Sequence, residues 1–153
     1  MTRLYCETSK EYIELYNEIK NSGEGIIYKT SKTGFLAKIY HAITEEQVKK
    51  LKVMIANSPI DPTLQQGHTS IAWPKDLLQD LKKRYVGFLM PEIKNGKTLT
   101  EVYNPSCRQK QAPGFNWRYL HITALNIAYI SSAIHRTGHV ICDIKPQNLL
   151  VNE

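Results

Sequence analysis

No apolar run in the 153 residues reaches the ~18–20 that would span a bilayer, and the opening Met-Thr-Arg-Leu-Tyr-Cys-Glu holds no apolar signal core. The expectation is a chain with no membrane partner. Cysteine is scarce: Cys6, Cys107 and Cys142 are scattered, odd in number, and form no C-x-x-C pair. That argues against a disulfide framework or a zinc site and favours reduced thiols, hence a cytoplasmic setting. Repeats and low-complexity tracts are absent. So is a concentrated run of one charge. The net charge is +6, but the basic residues are spread out, with short clusters at Lys49-Lys50-Lys52 and Lys82-Lys83-Arg84. These read as solvated helix faces and loop ends, so a nucleic-acid partner is not expected. A basic nucleic-acid-binding protein remains an alternative that rests on the charge alone, and a steep salt dependence of DNA binding would mark it. The basic balance suits an anionic ligand in general.

What is present is a chain of about one domain's length. At 42% hydrophobic residues it can build a packed core. Its most informative stretch is Gly138-His139-Val140-Ile141-Cys142-Asp143-Ile144-Lys145-Pro146-Gln147-Asn148-Leu149-Leu150-Val151. Pro146 forbids helix at its own position and disfavours it just before. A polar loop is therefore expected, followed by a short apolar strand over 149–151. A carboxylate, an ammonium and an amide in one tight loop suit phosphoryl transfer. Asp143 can orient and deprotonate a hydroxyl, Lys145 can neutralise a transferring phosphate, and the Asn148 amide oxygen can hold a divalent metal.

Upstream, 11–19 alternates as a half-buried strand with Ile13, Leu15 and Ile19 on one side and Asn17 out of pattern. Asn21-Ser22-Gly23-Glu24-Gly25 is a turn, 26–30 a second strand, Ser31-Lys32-Thr33-Gly34 a hairpin connection and 35–40 a third strand. Lys38 stands alone in that apolar run, where it must snorkel out or meet an anion. Glycine in the preceding turn would let backbone N–H groups approach phosphate oxygens. Thr44, with Gln47 three residues on, predicts a capping box for a helix ending near Asn57-Ser58-Pro59. Loop is expected over 60–67, strands over 71–74 and 86–90, and a polar connection over 77–84. Beyond these, a short helix is expected over 99–103, a loop over 104–116, and the longest helix over 117–136. The apolar stripe of that helix is Leu120, Ala124, Ile127, Ile130 and Ile134, and Gly138 ends it.

Asp143-Ile144-Lys145-Pro146-Gln147-Asn148 resembles the catalytic loop of protein kinases, and Leu36-Ala37-Lys38 with Ile39 resembles their V-A-I-K strand. Further phrases (Gly-Glu-Gly-x-x-Tyr, Ala-Lys-Ile-Tyr, Ile-Ala-Trp-Pro, Gly-Phe-Leu-Met-Pro) look like a bacterial kinase-like subfamily, some members of which carry a helix-hairpin-helix extension. The resemblance implies an α+β fold: a kinase-like N-lobe and hinge over 1–93, an antiparallel sheet plus one helix, and the first part of a helical C-lobe over 94–153. It implies ATP and Mg2+ as cofactors and a Ser or Thr hydroxyl of an unknown protein substrate as acceptor. Asp143 would be the base, Lys145 the γ-phosphate partner, Asn148 a magnesium ligand and Lys38 the holder of the α/β-phosphates. Gly23 and Gly25 would form the phosphate turn. Ile27, Ala37 and Leu150 would sandwich the adenine. Met90 would guard the back of its pocket, and Pro91, Glu92 and Ile93 would be the hinge, with Ile93 the better N–H donor. Either Glu45 or Glu46 would have to pair with Lys38, although both sit early in their helix.

The sequence departs from the family in three ways. Ile141 and Cys142 stand where His and Arg precede the loop Asp. Lys20 and Ser22 replace two glycines of the cradle, with Gly23 partly compensating. The residues end at Glu153, before a D-F-G carboxylate. The expectation is therefore a fragment with negligible catalysis alone, able to self-associate through the apolar face of the 117–136 helix. A nucleotide-binding pseudoenzyme or regulatory module is the alternative.

Overall fold

The computed structural model describes residues 2–152. They form two compact units. One takes in the chain up to Ser58 together with Ala72–Glu92; the other takes in Pro59–Ile71 and everything described from Ile93 onward.

The first unit is a six-stranded antiparallel barrel with one helix. Its strands are β1 (Thr2–Cys6), β2 (Tyr12–Asn21), β3 (Gly25–Thr30), β4 (Phe35–Tyr40), β5 (Asp76–Gln79) and β6 (Tyr85–Pro91), and its helix is α1 (Glu45–Ala56). The strand order is β1-β2-β3-β4-β6-β5, and β5 pairs back onto β1 to close it. The mixed α and β composition and the antiparallel sheet agree with expectation, and the sheet closes into a barrel, which was not foreseen. Closure comes from two strands the local pattern hid. Residues 2–6 carry their own strand. The strand expected over 71–74 lies instead at Asp76–Gln79, within what was expected to be a connection. Asp76 secures that corner: its buried carboxylate accepts the backbone N–H groups of Thr8 and Ser9 at 2.7 and 2.8 Å.

Alternation along the strands sorts the side chains onto two faces. Leu4, Cys6, Ile13, Leu15, Ala37, Leu78 and Leu89 fill the barrel interior. The outer face of β4, β5 and β6 carries Leu77 and Phe88, which pack with Leu51, Val48 and Met54 of α1. The Asn17 irregularity is a bulge. The β2–β3 register shifts between Leu15 and Glu18 and again before Lys20, so Ile19, expected beside Ile13 and Leu15, is exposed. The Thr44–Gln47 capping box forms as expected.

The second unit holds β7 (Lys97–Thr98), α2 (Leu99–Tyr103), α3 (Pro105–Gln111), α4 (Trp117–His135) and β8 (Leu150–Val151). Helix α3 replaces an expected loop. Asn104 caps it, accepting from the backbone N–H groups of Ser106 and Cys107, and Pro105 occupies the first helical position, where its missing N–H costs nothing. The core here is small: Val102, Ala112 and Phe115, with Leu99, Leu120 and Val151 against them. On α4, Ile134 is buried and Leu120, Ile127 and Ile130 are half-buried, but Ala124 is exposed, as are Ile122, Leu125 and Tyr129. Among the described residues no helix is long and apolar enough to cross a membrane.

Candidate functional site

The two units each contribute a group of candidate residues. In the first, the register decides which side chains share a face. Cross-strand partners point the same way, and neighbours along a strand point oppositely. Ile27 lies opposite Lys38, and Lys38 opposite Phe88, so these three share the outer face. Ala37 pairs with Tyr28 and Leu89 and is fully buried in the barrel interior. It therefore does not stand beside Ile27, as the sequence led us to expect. Leu36, two residues before Lys38 and paired with Met90, is a residue of that strand on the Lys38 face, as is Tyr40 two residues after it. Period-2 spacing from Lys38 is the signal that would have singled out Leu36 in place of Ala37. Met90 packs at the edge of the cluster under α1.

Lys38 is held by an acid other than the two expected. Its Nζ donates to Glu24 Oε2 at 2.7 Å and lies 5.1 Å from the Tyr40 ring centre. Glu45 and Glu46 are exposed first-turn residues of α1, where the helix dipole favours them. Gly23 lies in open space. Gly25 is required by packing, because a Cβ there would stand 2.2 Å from the Ile39 carbonyl oxygen. Glu92 donates its N–H to the Gly34 carbonyl at 2.9 Å, and its side chain pairs with Lys29.

In the second unit, the sequence expectation of a polar loop before a short strand is met. Pro146–Asn148 forms one 3-10 turn, with the Asn148 N–H on the Lys145 carbonyl at 2.9 Å. That turn brings three side chains together. Asp143 Oδ2 accepts from Lys145 Nζ at 2.9 Å and from Asn148 Nδ2 at 2.8 Å. Asn148 Nδ2 also reaches the Asp143 carbonyl at 3.2 Å. The Lys145 bond holds Asp143 below the ordinary aspartate range; slight desolvation pushes the other way, and Asn148 adds to the lowering. Asp143 is therefore ionised at neutral pH, with Oδ1 outside this pair of bonds. Strand β8 follows at once and pairs Leu150 with Thr98. Gly96 makes room for it, since a Cβ at that position would come within 3.0 Å of the Leu150 side chain. Ile93 is half-buried and opens the unit.

No family model matches the chain. The chain is similar to a protein kinase. Over 150 residues, 97% of its length, it is 28% identical to "Protein kinase YegI" of Escherichia coli O157:H7. Over 143 residues, 92% of its length, it is 28% identical to the protein of the same name from Escherichia coli (strain K12). It spans 22% of the length of each.

Among the described residues no three His, Cys, Asp or Glu side chains gather. Asp143 and Asn148 are the oxygen donors this loop would offer a magnesium ion arriving on a nucleotide's own phosphates, since Mg2+ keeps most of its waters and takes few protein ligands.

Proposed function

We propose that this chain is an ATP-binding, protein-kinase-like domain whose chemistry is transfer of the γ-phosphoryl group to a Ser or Thr hydroxyl. The observation that carries the reading is the Asp143–Lys145–Asn148 cluster, in which an ammonium and an amide each lie within 2.9 Å of one ionised carboxylate oxygen. The similarity to a protein kinase over nearly the whole chain supports it.

Asp143 would accept the hydrogen bond of the attacking hydroxyl on Oδ1 and take its proton as the bond to phosphorus forms. A carboxylate of lowered pKa is a weak base, so its main work is to orient the oxygen for in-line attack. Lys145 would leave Asp143 in part to meet the charge of the transferring group. With Nδ2 committed to Asp143, Asn148 presents Oδ1 as its metal-binding atom. Bound Mg2+ would supply charge neutralisation along the triphosphate. In the first unit Lys38 would hold the α/β-phosphates, Ile27 and Leu36 would offer an apolar face to the adenine, and Met90 would back it.

The test is a titration of the purified chain with ATP, with and without magnesium, followed by thermal stability. A ligand that binds the folded state alone must raise Tm. The expected result is a rise that survives Asp143→Asn and is lost in Lys38→Ala; a cooperative melt that does not move with ATP refutes the reading. A second reading, nucleotide binding without turnover, draws on the sparse acidic donor set. Transfer of labelled γ-phosphate to protein, abolished by Asp143→Ala, decides against it.

A further inference from the structure

Lys38 is mostly covered, its side chain 22% exposed, and it rises from an apolar strand. A covered ammonium needs an anion, and Glu24 provides one at 2.7 Å. Glu24 lies in the β2–β3 turn, and its side chain is 71% exposed. The backbone of that turn is fastened independently of the carboxylate. His41 donates its N–H to the Glu24 carbonyl at 3.1 Å, His41 Nε2 bonds the Ser22 carbonyl oxygen at 2.9 Å, and Ser22 N and Oγ both donate to the Gly25 carbonyl. A Cβ added at the neighbouring Gly23 would meet nothing within 4 Å. Those backbone bonds do not involve the carboxylate, so exchanging its place at Lys38 leaves the turn and strands as they are.

We infer that Glu24 is a built-in occupant of the anion position at Lys38, and that a polyphosphate binds there by displacing it. This rests on the nucleotide reading of Lys38 above. Two consequences follow. Phosphate affinity is set below what Lys38 alone would give, by the two- to fivefold that an exposed ion pair is worth, roughly. Selectivity is sharpened as well, because only a ligand bringing several negative charges replaces the carboxylate at a profit. A neutral nucleoside leaves the Glu24–Lys38 pair in place.

The experiment is calorimetric titration of the full chain with tripolyphosphate, ATP and adenosine. Four proteins are compared: the parent, Glu24→Gln, Lys38→Met and the double variant. Both substitutions keep side-chain size, and a thermal melt of each verifies folding. The expected result is that Glu24→Gln binds tripolyphosphate and ATP about two- to fivefold more tightly, binds adenosine unchanged, and gains nothing in the Lys38→Met background. If Lys38→Met weakens tripolyphosphate binding while Glu24→Gln leaves it unchanged or weaker, the displacement idea is overturned and the nucleotide reading stands. If no variant alters polyphosphate binding, or none binds, the Lys38 site itself fails and the inference goes with it.

Discussion

At the scale of single residues, the two glycines of the β2–β3 turn look alike in sequence and differ in what they do. At Gly25 the strands approach so closely that a Cβ would stand 2.2 Å from the Ile39 carbonyl oxygen and 2.9 Å from the Tyr40 Cα. Both obstacles are backbone, so the strand pair must shift. Gly25→Ala should cost about 1–3 kcal/mol, the usual range for overpacking. Gly23→Ala, facing open space, should melt within a degree or two of the parent. Thermal denaturation by circular dichroism of the two variants side by side checks this, and equal melting temperatures would rule out the packing role of Gly25. The same scale shows what the sequence revealed of the site. Asp143, Lys145 and Asn148 were legible because their grouping is local: a proline fixes the turn, and six residues span all three. Ala37 was expected on the face of Lys38 and lies on the other, because the two are adjacent and adjacency on a strand means opposite faces. Glu24 was missed because its bond to Lys38 crosses two strands, and a helix acid was sought in its place.

At the scale of elements, local signals were reliable where the chemistry of the ends was read. Thr44 and Gln47 cap α1 as their spacing predicts. Asn104-Pro105 carries an equally good start signal for α3, but Pro113 and Gly114 further on made the whole stretch look like loop. The segment 59–71 shows how a loop with little regular structure is still specified. Asp61 accepts five hydrogen bonds: from the N–H and hydroxyl of Thr63, the N–H and hydroxyl of Ser70, and the N–H of Ile71. Burial pushes the Asp61 pKa up, but the bonds from Ser70 and Thr63 outweigh it and hold the carboxyl below its ordinary range. A carboxyl lowered on folding stabilises above its unfolded value, about 3.9 for aspartate, and that contribution drains away as pH falls through the folded value. The Ser70 and Ile71 amide resonances should therefore shift together in acid, below that value. Asp61→Asn should remove the effect at every pH, because its NH2 would face the two backbone donors that Oδ2 now satisfies. The expected loss is about 1–3 kcal/mol of local stability, read as faster hydrogen exchange at Ser70 and Ile71 at neutral pH. Unchanged exchange there would mean the carboxylate does not hold the loop.

At the scale of the whole molecule, the two units differ in how much core each has. The barrel encloses seven buried apolar residues and adds a second cluster under α1. Its closure depends on β1 meeting β5, a pairing between distant parts of the chain that no local pattern could announce. The cluster of the other unit holds Val102, Ala112 and Phe115, with Ile134 buried apart from it, while α4 exposes Ile122, Leu125 and Tyr129. Small cores are marginal, so the second unit should open first. Phe115, 6% exposed and central to the cluster of Val102 and Ala112, is the residue to remove. Truncating a buried Phe to Ala costs about 3–5 kcal/mol, which is most of what so few contacts can supply. Phe115→Ala should abolish amide protection in α2, α3 and α4 while leaving the protection of Leu78 and Leu89 in the barrel within about tenfold of the parent. Native-state hydrogen exchange resolved by residue reads both at once. Loss of protection in the barrel together with the helices would mean the units unfold as one and that stability is shared across the chain. Selective loss would show that the strand carrying Lys38 stands on its own core, and that the loop carrying Asp143 depends on the weaker one.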